Sequence, residues 1–205
     1  MRFIKHWKVV LLSLILVSSI FIVWDVVFTK NGVWGFNPDY HLNILFLGMP
    51  IEEWMFFFCI PYASIFIHYS LEYFKPNLIL PKQVTRSITL FLIVILGIVI
   101  YYNVDRDYTF VNYTFLLFVL AIGLRYGLVY LQRFYIAFLV ILIPFFIVNG
   151  ILTGTGLEEP VVWYNNDENL GIRLLTIPIE DFGYAFTMIF GNIFLIEKFK
   201  KASSG

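Results

Sequence analysis

The sequence predicts an all-α fold, a polytopic bundle of about six transmembrane helices with a parallel internal repeat. Apolar residues make up 60% of the 205 residues and charged residues only 14%, and the mean hydropathy is +0.82, as in a membrane protein. Six apolar runs are long enough, at roughly 17 to 25 residues, to cross a hydrocarbon core of about 30 Å as helices. A short acidic motif also occurs twice, each time at the start of such a run.

The predicted helices follow one another along the whole chain. We place them at residues 8–28, 50–72, 87–102, 108–124, 134–152 and 178–196. The first run follows the basic residues Arg2, Lys5 and Lys8, as the apolar part of a signal peptide does, but no small-x-small cleavage site precedes Trp24 and Asp25. This run is therefore predicted to be a retained helix.

The charged residues predict how the helices cross the membrane. With the N-terminus in the cytoplasm, eleven of the fourteen Lys and Arg residues lie inside, and only Lys30, Arg106 and Arg173 lie outside. Of the acids, only Glu72 and Glu197 fall inside. We expect a multi-pass protein of the cell membrane with both termini in the cytoplasm and the acidic motifs at the outer face. Its inner basic residues suggest contacts with lipid headgroups, and no patch suits nucleic acid.

The acidic motif organises the chain as two related halves. It reads Pro50-Ile51-Glu52-Glu53 and, 128 residues later, Pro178-Ile179-Glu180-Asp181. Phe36-Asn37 recurs before the second motif as Tyr164-Asn165, and Asn31-Gly32 recurs as Asn149-Gly150. The repeat pairs helices one and two with helices five and six in the same direction, about an axis along the membrane normal. We predict two domains, residues 1–103 with helices one to three and residues 104–205 with helices four to six.

The paired acids suggest proton chemistry. Proline suits the first turn of a helix, and an acid two residues later lies where free amide groups and the helix dipole favour an anion. Partial burial and the adjacent acid oppose ionisation, so a pair can hold one proton near neutral pH, as a general acid and base require. Small residues on the same helix stripes, such as Ala63 and Gly183, predict that Glu52 and Glu180 face inward with Glu53 and Asp181 beside them. One such motif alone is a common helix start, so the duplication is what favours a functional site.

Motifs for cofactors and metals are missing from the sequence. It has no G-x-G-x-x-G for a dinucleotide, no histidine pairs at metal-ligand spacing and no D-x-x-x-D pair for magnesium and diphosphate. We therefore expect no cofactor and no metal. Two function classes remain: cofactor-independent proton chemistry on an apolar substrate, and proton-coupled or cation transport by paired intramembrane carboxylates.

These residues resemble a known family, the small integral-membrane lycopene cyclases, in their fused form. The stretch from Trp24-Asp25 through Trp34 to the first motif resembles the first domain of that family. The stretch from Asn149-Gly150 through Leu170-Gly171-Ile172-Arg173 to the second motif resembles the second domain. In some members the two domains are separate polypeptides that form a heterodimer.

The resemblance implies a flavin-independent lycopene β-cyclase of carotenoid biosynthesis. Such an enzyme is an isomerase, an intramolecular lyase, that closes the ends of lycopene to β-ionone rings by redox-neutral acid-base catalysis. Its candidate catalytic residues here are Glu52, Glu53, Glu180 and Asp181, and which motif supplies the acid stays open. The candidate substrate-binding residues are Trp24, Asp25, Asn37, His41, Trp54, Phe57, Asn165 and Tyr184.

Other readings of the same motifs stay open beside this one. A cyclase of a longer carotenoid, or one that forms γ- or ε-rings, would share the motifs, and so would a carotenoid-binding subunit without activity. The expected partners are a carotenoid substrate in the bilayer and the membrane lipids. A homo-oligomer or an association with other carotenoid enzymes is left open.

Overall fold

Six α-helices form most of residues 6–202, which are the residues that the computed structural model describes. The helices are α1 Trp7–Asn31, α2 Ile51–Phe74, α3 Lys82–Tyr102, α4 Asp107–Tyr126, α5 Leu128–Leu152 and α6 Ile179–Ala202. Each is long and apolar enough to cross a membrane. The predicted all-α bundle of six spanning helices is therefore confirmed. Arg2 and Lys5, which contributed to the predicted orientation, lie outside the described residues.

Two helices extend well beyond the ends that hydropathy predicts. α5 begins at Leu128, not at 134, because the polar side chains in its first turns have partners between α2 and α3. Gln132 donates to the Leu80 carbonyl over 2.7 Å, and Arg133 donates to the Pro76 carbonyl over 2.8 Å. α6 continues to Ala202, past the expected end at 196. A hydropathy profile leaves polar turns out of a predicted helix, although the helix can include them when their side chains form hydrogen bonds.

The segments before α2 and α6 fold alike. Each contains a 3₁₀ turn, at Pro38–Tyr40 and Asn166–Glu168, preceded by an asparagine whose side chain accepts a backbone hydrogen bond of 3.1 Å. Each then forms a short antiparallel hairpin whose turn holds a leucine with a positive φ, 54° at Leu47 and 59° at Leu175. The hairpin strands are β2 Leu45–Phe46 with β3 Met49–Pro50, and β5 Arg173–Leu174 with β6 Ile177–Pro178. The repeated sequence is thus a repeated structure.

Two further strands show how the halves are related. β1, Trp34–Phe36, pairs antiparallel with β4, Val162–Tyr164, and Gly35 lies opposite Trp163. These two residues are counterparts in the repeat, separated by 128 positions. On either side of this central pair, Trp34 pairs with Tyr164 and Phe36 with Val162, so the ladder has a two-fold axis through its centre. The Trp163 ring lies where a side chain at position 35 would be, so Gly35 allows this close approach. The halves therefore meet about a pseudo-two-fold axis, while the division at residues 103 and 104 stays a prediction.

α2 and α6 pack together along the same axis. Tyr69 of α2 donates to Glu197 of α6 over 2.7 Å, and these residues are also 128 positions apart. α6 is the most buried helix in the described chain, whereas α3 and α5 have the smallest share of buried residues. Ile189, Phe190 and Ile193 of α6 are almost fully enclosed. The hydrophobic core is therefore centred on α6, and the acidic motifs lie at one end of it, called here the motif end.

Candidate active site

A cavity of about 160 Å³ opens below the motif end of the bundle. Its long wall is apolar and comes mainly from α2, α5 and α6, while polar and aromatic side chains collect at the motif end. The apolar wall includes Phe56, Ile60, Ala63, Ile67, Ile141, Pro144, Phe145, Val148, Met188 and Ile189. Among the described residues, the carboxyl groups that line the cavity belong to Asp25, Glu53 and Asp181. Such a cavity can hold an apolar molecule with one end against acids.

The second acid of each motif lines the cavity, and the first does not. We predicted that Glu52 and Glu180 face the interior of the bundle. Glu180 is fully buried there and Glu52 is only half-buried, but the acids that line the cavity are Glu53 and Asp181. Successive helical residues point about 100° apart, so the two acids of one motif cannot share a direction. Of the small residues on which that prediction rested, Gly183 packs against α4 as a helix contact requires, whereas Ala63 lines the cavity.

Glu52 and Glu180 hold the preceding loops against their helices. Glu52 Oε1 accepts from the Leu42 amide over 2.9 Å, and Glu180 Oε1 accepts from the Leu170 amide over 2.8 Å, each ten residues upstream. Glu180 is fully buried and accepts a second hydrogen bond, of 2.7 Å, from Thr109 of α4. Their place in the first turn also suits the positive end of the helix dipole. These structural contacts explain why the first acid of the motif occurs in both halves, and they require no catalytic role for it.

Asp181 is surrounded by hydrogen-bond donors from three other parts of the chain. Tyr108 of α4 donates to its Oδ1 over 2.5 Å. Tyr164 of β4 and Asn149 of α5 donate to its Oδ2 over 3.0 and 3.3 Å. Burial, followed by the negative charge of Asp181, raises the pKa of Tyr164 well above its usual 10, so this hydroxyl keeps its proton. Donors of this kind favour a carboxylate over a carboxylic acid.

Glu53, the counterpart of Asp181, has no comparable set of donors. Its carboxyl group accepts no hydrogen bond from the described residues and faces the cavity. The repeat explains part of this difference, because Phe36 occupies the position of Tyr164 and has no hydroxyl group. The two motifs thus present chemically different carboxyl groups to one cavity.

Asp25 brings a third carboxyl group to the motif end, from α1. It is 2% exposed. Its Oδ1 accepts from Trp34 Nε1 over 2.5 Å and from Thr29 over 3.3 Å, and its Oδ2 is buried without a partner in the described chain. The register that aligns Asn31 with Asn149 puts Ile143 at the matching position of α5, so the second half has no equivalent acid. Asp25 is therefore a feature of this end of the cavity and not of the repeat.

Aromatic rings close the motif end around these acids. Trp34, Tyr108, Tyr164 and Tyr184 all line the cavity. The rings of Trp34 and Tyr108 meet edge to face at 5.0 Å, and those of Tyr108 and Tyr164 stack at 5.8 Å between centroids. The acids are thus enclosed by ring faces and held away from bulk water.

The other predicted binding residues lie in different surroundings. Of that set, Asp25 and Tyr184 line the cavity. Trp24 is buried behind it with its ring 4.9 Å from that of Tyr184, and Phe57 is 1% exposed in the core. The remaining four make contacts away from the cavity. Asn37 and Asn165 bond to their own 3₁₀ turns, and Asn37 also donates to Glu159; His41 contacts the Asn43 amide and Trp54 the Phe46 carbonyl. Their part in substrate binding stays a prediction.

Four residues of the site were missed by sequence reasoning. Trp34 and Tyr164 stood in the repeated segments, and the exchange of Phe36 for Tyr164 was a usable signal for a difference between the halves. Asn149 was noted only as a helix end. Tyr108 gave no signal, because its role depends on the contact of α4 with α6. Among the described residues, no cluster of three or more His, Cys, Asp or Glu side chains is placed to hold a metal ion.

Comparison with known proteins gives a family match over most of the chain. The matching family is described as lycopene cyclase, and the match covers residues 2–74 and 105–199. Each matched segment contains one acidic motif, and α3 lies in the gap between them. No curated protein and no solved structure matches the chain.

Proposed function

The chain belongs to the lycopene cyclase family, and from this premise we propose that it is a lycopene β-cyclase. Family membership makes it an enzyme of carotenoid biosynthesis that cyclises carotenoids, and its six apolar helices make it an integral membrane protein. The finer proposal is an isomerase that converts the linear ends of lycopene to β-ionone rings. The observation that carries it is the apolar cavity with a carboxyl group from each motif at one end.

The reaction needs an acid and a base and no change of oxidation state. A proton adds to the terminal double bond of lycopene and leaves a tertiary cation at C1. The internal C5=C6 double bond attacks this cation, so that C1 and C6 join and the positive charge moves to C5. Loss of the C6 proton then gives the β-ring. One proton enters and one leaves, and the product is an isomer of the substrate.

We assign the acid to Glu53 and the base to Asp181. Asp181 accepts hydrogen bonds from Tyr108, Tyr164 and Asn149, which favour its ionised form. Glu53 has no such donors in the described chain and faces the same cavity, so it is the better holder of a proton to give away. Asp25 lies at the same end and, as a further carboxyl group, is suited to pass a proton between the two after each turnover.

The remaining lining residues suit a cationic intermediate. The ring faces of Trp34 and Tyr184 attract positive charge, and the carboxylate of Asp181 stabilises it further. The apolar wall excludes the water that would otherwise trap the cation as an alcohol. Trp54 and Phe57 line no part of this cavity, so they have no part in stabilising the cation in this proposal.

The proposal extends to the protein's setting in the membrane. The asymmetry of the Lys and Arg residues supports cytoplasmic termini and a motif end at the outer face. The proposed partners are the carotenoid and the surrounding lipids. A polyene about as long as the hydrocarbon core, roughly 30 Å, can stay in the bilayer while one end reaches the acids.

The test is conversion of lycopene by the purified protein in lipid vesicles without added flavin or nicotinamide. We expect a product of unchanged mass with a blue-shifted, less structured absorption spectrum. In heavy water, each ring should take up one deuterium. A Glu53→Gln preparation with the same thermal stability serves as the control and should lose at least about 100-fold in rate. Unchanged lycopene, with longer carotenoids also refused, would refute a cyclase.

A further inference from the structure

The cavity opens sideways, between α2 and α5. Ala63 of α2 and Pro144 and Val148 of α5 all line it, and all three are exposed although they lie on helices of the bundle. The opening runs along apolar helices, from Val148, next to Asn149 at the motif end, down to Ala63, ten residues after Glu53 on α2. The opening therefore faces the hydrocarbon of the bilayer and not water.

Prolines lie in both helices that flank this opening. Pro61 is inside α2 and Pro144 is inside α5. Proline lacks the amide that would bond to the preceding turn, so each helix lacks one backbone hydrogen bond at its proline. The repeat counterpart of Pro61 is Ile189 of α6, an ordinary helix residue that is 2% exposed.

The seam related to this opening by the pseudo-two-fold axis is closed. It lies between α1 and α6, where Gly191 and Asn192 occupy the positions of Ala63 and Ser64. Ser13 of α1 donates to the Asn192 carbonyl over 3.0 Å and to its side chain over 2.9 Å. Gly191 leaves room for α1, whose residue Val17 is the nearest neighbour of that position. The two acidic motifs follow the pseudo-two-fold axis, but only one of the two related seams is open.

The cavity is also elongated along the axis of α2. Its wall on α2 runs from Glu53 to Ile67. Fourteen residues of helix correspond to about 21 Å, roughly two thirds of a 30 Å hydrocarbon core. The cavity therefore runs far past the size of one ring, and its deeper part is apolar apart from Ser64.

We propose that this cavity is the binding site for the polyene chain of the substrate, which enters sideways from the bilayer between α2 and α5. This inference rests on the proposed function. One end of the chain reaches Glu53 and Asp181, and the rest lies along the apolar wall and leaves through the opening. Because the related seam is closed, the protein receives one end of a carotenoid in each binding event.

Binding can be measured apart from turnover. Lycopene has no chirality of its own, so a circular dichroism signal in its visible band reports a molecule held in a chiral protein site. The experiment uses the full chain in vesicles with a Glu53→Gln background, so that bound lycopene is not consumed. In this background, Ala63→Trp and Val148→Trp fill the opening. The matched controls are Met55→Trp on α2 and Ile147→Trp on α5, which are 59% and 61% exposed and do not line the cavity.

We expect the two lining variants to bind lycopene about tenfold or more weakly than the background, because overfilling a packed site displaces its neighbours. The controls should bind within about twofold of it. Equal binding by the lining variants and the controls would overturn the inference. It would mean that the cavity holds a lipid acyl chain only. If lycopene binds in the background but the wild type forms no ring, the proposed function fails while the binding site stands.

Discussion

Replacing Tyr164 with phenylalanine tests the role proposed for Asp181, because it removes one donor and keeps the aromatic ring. The hydroxyl donates to Asp181 over 3.0 Å, while Tyr108 and Asn149 donate independently. A hydrogen bond to a charged group contributes about 1.5–3 kcal/mol. Since two donors remain, we take the lower value, which corresponds to about a tenfold lower rate of ring closure.

The pH dependence separates this effect from a structural one. The assay is single-turnover conversion of lycopene in vesicles, followed from about pH 6 to about pH 9. The pKa of Tyr164 is raised well above 10 by burial and the charge of Asp181, so the wild-type donor stays protonated throughout this range. In Tyr164→Phe, Asp181 is ionised in a smaller fraction of the molecules, and a higher pH restores that fraction. The deficit should therefore be largest at low pH and shrink as the pH rises.

Tyr113→Phe provides the matched control. Tyr113 is buried in α4, does not line the cavity, and makes no hydrogen bond through its hydroxyl within the described chain. Its loss should leave the rate within about twofold of the wild type at every pH. If Tyr164→Phe behaved like Tyr113→Phe across the range, Asp181 would not act as the base in the way proposed.

Three further expectations follow from the same contacts. Glu53→Gln should abolish ring formation without changing the melting temperature, whereas Glu52→Gln should lower stability by about 1 kcal/mol and spare most turnover in the folded protein. The reverse pattern would return the chemistry to the first acid of the motif. Thr109→Val removes a donor to the buried Glu180 and should cost about 1–3 kcal/mol in a thermal melt. Thr187→Val removes a buried hydroxyl that has no hydrogen-bond partner among the described residues, and it should cost little. In a pulse of labelled lycopene followed by excess unlabelled lycopene, label should stop in the one-ring product, and label that passes to two rings undiluted would contradict one end per binding event.

The sequence predicted the architecture well because the signals for it are local. Six apolar runs dictate six helices in a membrane, where every backbone amide must be satisfied within its own segment. The repeated asparagines and motifs predicted that the two halves fold alike, and their turns and hairpins do. The start of α5 and the end of α6 were misplaced because the polar residues there form hydrogen bonds, which a hydropathy profile does not take into account.

For the candidate site, sequence and structure each determined a different part. The sequence by itself determined that two pairs of acids begin two membrane helices in equivalent halves, because repeated residues at equal spacing fold alike. Only the tertiary structure decided which acid of each pair lines the cavity, since this depends on the loop amides that bind Glu52 and Glu180. It also gave Asp181 its donors and left Glu53 without them, because Tyr108, Asn149 and Tyr164 come from segments brought together by packing. The duplicated sequence gives the two halves similar backbones. The two carboxyl groups differ in chemistry because they have different neighbours.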